Sequence, residues 1–425
     1  MKSPFNRRME QSIAAFFFTI FVALFPILPS YTRLMGYTVY LWLAIFTFGI
    51  LVLLYNKDLL KIPKRYFVIS MVVIFLYAIP LGFHMQLERI VYELLDVWLP
   101  ITIVLLGVRH STSKQIEKLI SILIAISALL CVSGIIEEVF SFNVFSLIEN
   151  MAYENPNFGS LPATRFGMVR IEQSFNTALT YALYLLMTFG LTFYRFFSRR
   201  KKGYVVIMVL QCVNIVLTFT RGVSLVFFLG TILLLLFCKK EIGLNRVLGT
   251  ILTVLICISV AFIIFPQIQE FIANLFGSAI GLLLGSNEIS IDQSSLMRQG
   301  FQSVAFEALE SPLVFIFGVG EYGLRDMVSI DNEWLLEITG YGILGATGFV
   351  ILLLTPILYS AKGIVVSQRN SNKSGTLLYK CLLCMFLEYA ISLYTVAQMA
   401  EARMFYILFG IACAYNAKAQ KGETE

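Results

Sequence analysis

Residues 204–238 read YVVIMVLQCVNIVLTFT, then Arg221, then GVSLVFFLGTILLLLFC: two apolar runs separated by one cation. Each run approaches the ~20 residues that a helix needs to cross the hydrocarbon of a bilayer. Almost nothing is left over for a loop, so the segment predicts a helical hairpin with Arg221 at its tip. An arginine held well inside a bilayer costs roughly 2.5–3.5 kcal/mol on insertion scales. The tip is therefore pinned near the level of the lipid phosphates.

The pattern recurs along the chain. Its 425 residues are 58% hydrophobic and 14% charged, with a mean hydropathy of +0.81, too apolar for a soluble globular protein. About twelve stretches of near-spanning length follow one another: 12–29, 35–55, 66–83, 90–107, 118–139, 177–195, 204–220, 222–238, 247–266, 343–361, 375–395 and 402–417. Helices are the only reading. A barrel would show shorter alternating strands, and open strands leave backbone groups unpaired in hydrocarbon. The whole chain, 1–425, is expected to form one all-α, polytopic membrane bundle. The first run is expected to stay as a helix, because no small-x-small cleavage site follows it.

Basic clusters at Lys57–Arg65, Arg109–Lys118, Arg195–Lys202, Lys239–Arg246 and Lys362–Lys373 follow every second span. The bias of Lys and Arg toward cytoplasmic loops then places both termini in the cytoplasm. What remains on the far side is Arg33, Arg89, Arg165, Arg170, Arg221, Arg298, Arg325 and Arg403, and every lysine falls on the near side. Guanidinium is the cation that forks onto phosphate, so the outward surface predicts a polyanionic ligand. The net charge of +6 sits largely in the cytoplasmic loops, which is an insertion signature and excludes a nucleic-acid patch. The seven cysteines lie in or at the ends of apolar runs, so no disulfide is expected. Cys381 and Cys384 have no second Cys or His pair near them in sequence, and His84 and His110 fall on opposite sides; no metal site is expected.

Two connections are long, 140–176 and 266–341, and both face outward, where loops beyond ~12–15 residues are usually functional. In the second, Met297, Phe301, Val304 and Ala308 recur at helical spacing while Arg298 and Gln302 share another face, which predicts a short interfacial helix. Arg298 in its first turn would lie near unpaired amides and form an anion site; a surface helix that anchors on lipid phosphate is the alternative. The first loop ends in Arg165-Phe-Gly-Met-Val-Arg170-Ile-Glu172-Gln-Ser-Phe-Asn176, two guanidiniums and a carboxylate compressed just before a span. Glu172 could accept a proton from a hydroxyl there; a solvated ion-pair turn is the alternative. Arg221 likewise either grips the pyrophosphate of a lipid-linked substrate or snorkels to headgroups.

Gly318-Val-Gly320-Glu321-Tyr-Gly323 matches a dinucleotide fingerprint in letters, yet it sits in an external loop without a βαβ unit. Its glycines instead suit a tight turn or a close approach to sugar or phosphate. Arg325, Asp331, Asn332 and Trp334 follow, with Asp331 a second candidate base and Trp334 a candidate stacking face for a sugar. Glu93, Asp96 and Glu388 fall inside spans and should face the bundle interior, with Arg89 or Arg403 as partners.

These pieces together resemble the bacterial polysaccharide repeat-unit polymerases (Wzy-type) of the O-antigen ligase and polymerase superfamily. The likeness covers about residues 160–350. It rests on the Arg165-Phe-Gly, Arg170-x-Glu172 and Phe-Asn176 approach, Thr220-Arg221-Gly222, Ser295-x-x-Arg298 with Gly318-Val-Gly320, and Asp331-Asn332-x-x-Leu335 with Gly342-Ile-x-Gly345. The resemblance implies a GT-C-type glycosyltransferase in the bacterial cytoplasmic membrane. It would use undecaprenyl-pyrophosphate-linked oligosaccharide with no nucleotide sugar, metal or other cofactor, alongside a chain-length regulator and a flippase. It implies pyrophosphate binding by Arg170, Arg221 and Arg298 with Arg165 and Arg325 in support, sugar contacts from Glu321, Asn332 and Trp334, and Glu172 or Asp331 as the base. Related ligases carry His where Asp331 stands here, which favours polymerase over ligase; a lipid-linked oligosaccharide flippase is the other reading the helix count permits.

Overall fold

A computed structural model describes residues 16–28, 32–34, 37–39, 64–86, 99–147, 164–165, 168–175, 177–243, 293–320, 332–395 and 403–421, with a few isolated positions besides. The chain is mostly helical. Its described helices are α1 (Lys64–Phe83), α2 (Leu99–His110), α3 (Ser113–Phe140), α4 (Ala178–Arg199), α5 (Gly203–Leu217), α6 (Arg221–Phe237), the single turn α7 (Lys239–Ile242), α8 (Gln293–Leu309), α9 (Pro312–Phe317), α10 (Glu333–Arg369), α11 (Lys373–Ser392) and α12 (Arg403–Lys421). Among them α3, α10 and α11 are long and apolar enough to cross a membrane, and shorter apolar stretches lie at Phe67–Phe83, Gly203–Leu217, Arg221–Phe237 and Arg403–Ala414. The expected span 247–266 lies outside the described residues.

Local signals set the helix ends. Thr112 opens α3 with a reciprocal cap, its hydroxyl accepting from Gln115 N at 3.3 Å while Gln115 Oε1 accepts from Thr112 N at 2.6 Å. Thr177 caps α4 by accepting from Thr180 N at 3.2 Å, and Asn372 caps α11 through Gly375 N at 2.8 Å. Helix α3 stops at Ser141 and α4 at Arg200, both in the left-handed region.

Helix α4 is the axis of the bundle, packed by α3, α5, α6, α11 and α12. It is buried on nearly every face from Ala178 to Arg195, which explains its Thr, Tyr and Gly content: its neighbours are side chains, not lipid tails. Polar side chains tie the layers together through buried hydrogen bonds. Ser127 and Thr188 share a hydrogen bond at 3.0 Å, and Gln211 Nε2 donates to Ser127 Oγ at 2.9 Å. Tyr181 donates to Asn214 Oδ1 at 3.1 Å, and Asn214 Nδ2 donates to Cys131 O at 3.0 Å. On the outer flanks α1 packs on α10, and α2 on α12.

Two short antiparallel pairs accompany the helices, β1 (Thr32–Leu34) with β2 (Tyr37–Val39) and β3 (Thr164–Arg165) with β4 (Met168–Val169). The span drawn from residue 35 therefore starts too early; Thr38 and Val39 branch at Cβ and favour extended backbone. Helix α10 is two helices joined across a non-helical Gly342 (φ 66°, ψ −168°): the second begins at Ile343, where the span was drawn, and the first, from Glu333, was not expected. Glycine alone adopts that conformation without strain.

The two ends of the bundle differ in chemistry. At one end Glu117 pairs with Arg195 and Arg199, Tyr194 donates to Glu117 Oε1 at 2.9 Å, and Lys380 pairs with Glu241 at 2.9 Å. At the opposite end lie the start of α4, the α5–α6 turn, the start of α10 and the end of α11.

Candidate functional site

Three segments meet at that second end. Helix α3 delivers Glu137 in its last turn, and Glu137 is fully buried. Its carboxylate accepts from Glu172 N at 3.4 Å, Gln173 N at 3.3 Å and Asn143 Nδ2 at 3.2 Å, and from the Gln173 side-chain amide. Asn143 also donates to Gln173 O at 2.8 Å, while its Oδ1 accepts from Phe145 N at 2.8 Å. These bonds hold the turn ahead of α4, where Gln173 has φ 58°.

The second segment is that turn itself. Arg170 Nε donates to Thr218 O at 3.0 Å and Ile171 N to Leu217 O at 3.5 Å, so the segment that follows β4 and carries Arg170 is strapped to the hairpin tip. The Glu172 carboxylate accepts from Ala178 N in the first turn of α4. Burial lifts its pKa to about 7, opposed by the Arg170 guanidinium and the Ala178 amide and reinforced by the negative Glu137. It therefore titrates near neutrality, the range in which a carboxylate can act as a general base.

The third segment is the tip, Thr218-Phe-Thr220, from which Arg221 opens α6. Phe219 adopts φ 50° with its ring fully buried. Thr218 Oγ1 donates to Ile215 O at 2.6 Å and lies 2.8 Å from Thr220 Oγ1. Beside Arg221, Gly222 faces the side chain of Thr395, so a Cβ there would collide with it. Arg170, Glu172 and Arg221, drawn from two separate stretches of sequence, thus share one end of the bundle.

One of the fingerprint-like glycines serves a close backbone crossing. Gly318 (φ 72°) packs on Gly340 O, and Gly342 packs on Ile316 O. Val319 N donates to Thr339 O at 2.8 Å, and His84 Nε2 donates to Gly318 O at 3.0 Å. Two backbones cross here without side chains between them, with Phe83 stacked on Phe317 at 4.2 Å.

Other candidates distribute as follows. Arg165 pairs with Met168 in the β3–β4 ladder. Arg298 is the sixth residue of α8 (Gln293–Leu309), so it lies past the unpaired first-turn amides beside which the sequence placed it, and the anion site expected there is corrected; the packed positions of that helix are Ala305 and Leu309 against Leu335. Val304, on the stripe expected to anchor that helix, is 45% exposed. Asn332 caps α10 through Leu335 N at 3.2 Å, and Trp334 donates to Ala390 O at 3.1 Å with its ring edge-on to Phe349; both are engaged by the framework itself. Glu321, Arg325 and Asp331 lie outside the described residues, as do Arg89, Glu93 and Asp96. Arg403 donates to the carbonyls of Phe25 and Leu28, and Glu388 lies against Gly230 of α6, not beside Arg403. Sequence reasoning missed Glu137 and Asn143. The signal for the first was a carboxylate ending an apolar run, and a lone Asn gave none.

Among the described residues no group of three or more His, Cys, Asp or Glu is placed to hold a metal ion. Searches against protein-family models and curated proteins return no match.

Proposed function

We propose that the chain is a GT-C-type membrane polymerase of about twelve spans, which joins undecaprenyl-pyrophosphate-linked oligosaccharide units on the outer face of the bacterial cytoplasmic membrane. The observation that carries this reading is the Arg170 guanidinium bonded to the turn that launches Arg221, beside a carboxylate whose pKa is about 7.

In the reaction, the anomeric carbon of the growing glycan leaves its lipid pyrophosphate, which takes the electron pair of the breaking C–O bond. A sugar hydroxyl of the incoming unit forms the new bond, and its proton passes to Glu172 or Asp331. Negative charge grows on the departing pyrophosphate, and donors already fixed in place stabilise it without reorganising. Arg170 and Arg221 supply forked donors at one level, with Arg298 joining them and Arg165 and Arg325 in support. An arginine is needed because lysine offers a point charge and cannot bind two phosphate oxygens in a plane.

The test is polymer length in cells carrying Arg170→Lys, Arg221→Lys or Arg298→Lys at normal protein levels. Each is expected to reduce elongation about a hundredfold and leave single units on lipid. Full-length polymer from all three variants would overturn the assignment.

A further inference from the structure

Glu137 is the most enclosed carboxylate at the candidate site, and it is met there by donors: two backbone N–H groups and two side-chain amides. A protonated carboxyl would need an acceptor for its own O–H, so this donor set fits the ionised form. A buried carboxylate with its lone pairs satisfied fixes what it holds. What it holds is the backbone of Glu172 and Gln173, with Arg170 two residues ahead.

We propose that Glu137 is a positioning residue for the reaction: as a carboxylate it clamps the 172–173 turn, directs Glu172 toward the acceptor hydroxyl and keeps Arg170 strapped to the hairpin tip. The inference rests on the reading of Glu172 as the base. Its charge has a second effect, since a fixed anion beside Glu172 makes that group a stronger proton acceptor. The charged groups that act on Glu172 are Arg170 from its own segment and Glu137 from α3, and the Ala178 amide of α4 donates to it; Glu138, next to Glu137, accepts from Val169 N. Arg221 lies across the tip. Of these, Glu137 is the anion that acts on Glu172 directly.

The experiment is the pH profile of elongation by purified full-length protein for wild type, Glu137→Gln and Glu172→Gln, with folding checked by thermal unfolding in detergent. Wild type should lose activity as pH falls through about 7. Glu137→Gln removes the charge at nearly constant volume, and it should move that acid limb down by about half a unit or more while reducing the plateau about tenfold. A uniform loss at every pH, with the limb unmoved, would mean that Glu137 only supports the fold and would overturn the proposal. If Glu172→Gln retained the wild-type rate and limb, the base reading itself would fail, and that outcome is distinct because it does not depend on Glu137. Should Glu137→Gln not fold, Asn143→Ala removes one donor and leaves the charge. Its expected signature is a reduced rate with no downward movement of the limb, and a full rate at every pH would overturn the proposal.

Discussion

Phe219 shows how the hairpin tip is held. Its backbone sits in the left-handed region at φ 50°, which costs a non-glycine residue ~1 kcal/mol or more, and its ring is fully buried. Phe219→Gly would relieve the strain but remove a ring whose packing is worth about 3–5 kcal/mol. A net loss of about 2–4 kcal/mol follows, and the unfolding midpoint should fall; a rise would mean that strain dominates the tip. Glu172 makes a prediction about pH. Its folded pKa of about 7 exceeds the ordinary carboxylate value of about 4.3, so the folded state binds the proton more tightly. Its contribution to stability is full below about pH 4.3 and is lost as pH rises through about 7. Thermal unfolding should show a higher midpoint at pH 5 than at pH 8, and Glu172→Gln should shrink that difference; an unchanged difference would mean that Glu172 is not the group that titrates.

At the scale of elements, the hairpin 204–238 was legible because a long apolar run broken by one cation reads as two helices and a turn, and the observed α5 and α6 differ from it only at their ends. Helices α1, α3, α4, α11 and α12 were legible as apolar runs of near-spanning length. Run length does not report what an element packs against. The start of α10 at Glu333 was hidden because Glu333, Glu337 and Thr339 depress hydropathy, although all three are buried, and Glu337 accepts from Tyr77 Oη at 2.9 Å. Asn332 and Trp334 drew attention as polar and aromatic groups in a long connection; that the first caps α10 and the second anchors its indole on Ala390 O was not legible in run length. The glycine crossing provides the test at this scale. Gly342→Ala meets both a forbidden backbone angle and the carbonyl of Ile316, whereas a Cβ on Gly82 would meet no atom within 4 Å. Gly342→Ala should lower the unfolding midpoint sharply and loosen α9 from α10, while Gly82→Ala should be neutral or stabilising; equal behaviour of the two would contradict the crossing.

For the whole molecule, polarity along the bundle axis is the organising feature. Lys380–Glu241 and Arg195–Glu117 close one end, and Arg170, Glu172 and Arg221 gather at the other. The separation was legible in the alternation of basic clusters, because helices that reverse at each turn sort their loops onto two faces. The contacts within the Arg170–Glu172–Arg221 cluster were not legible. Arg170 and Arg221 are about fifty residues apart, and the clamp that joins their surroundings is a buried Glu from a third helix. The most direct test is incubation of the purified protein in liposomes with undecaprenyl-pyrophosphate-linked oligosaccharide, in chelator and without nucleotide. A ladder of lengthening glycans is expected, reduced about a hundredfold by Arg221→Lys; lipid-linked units that stay single, or that are only moved across the bilayer, would contradict the assignment.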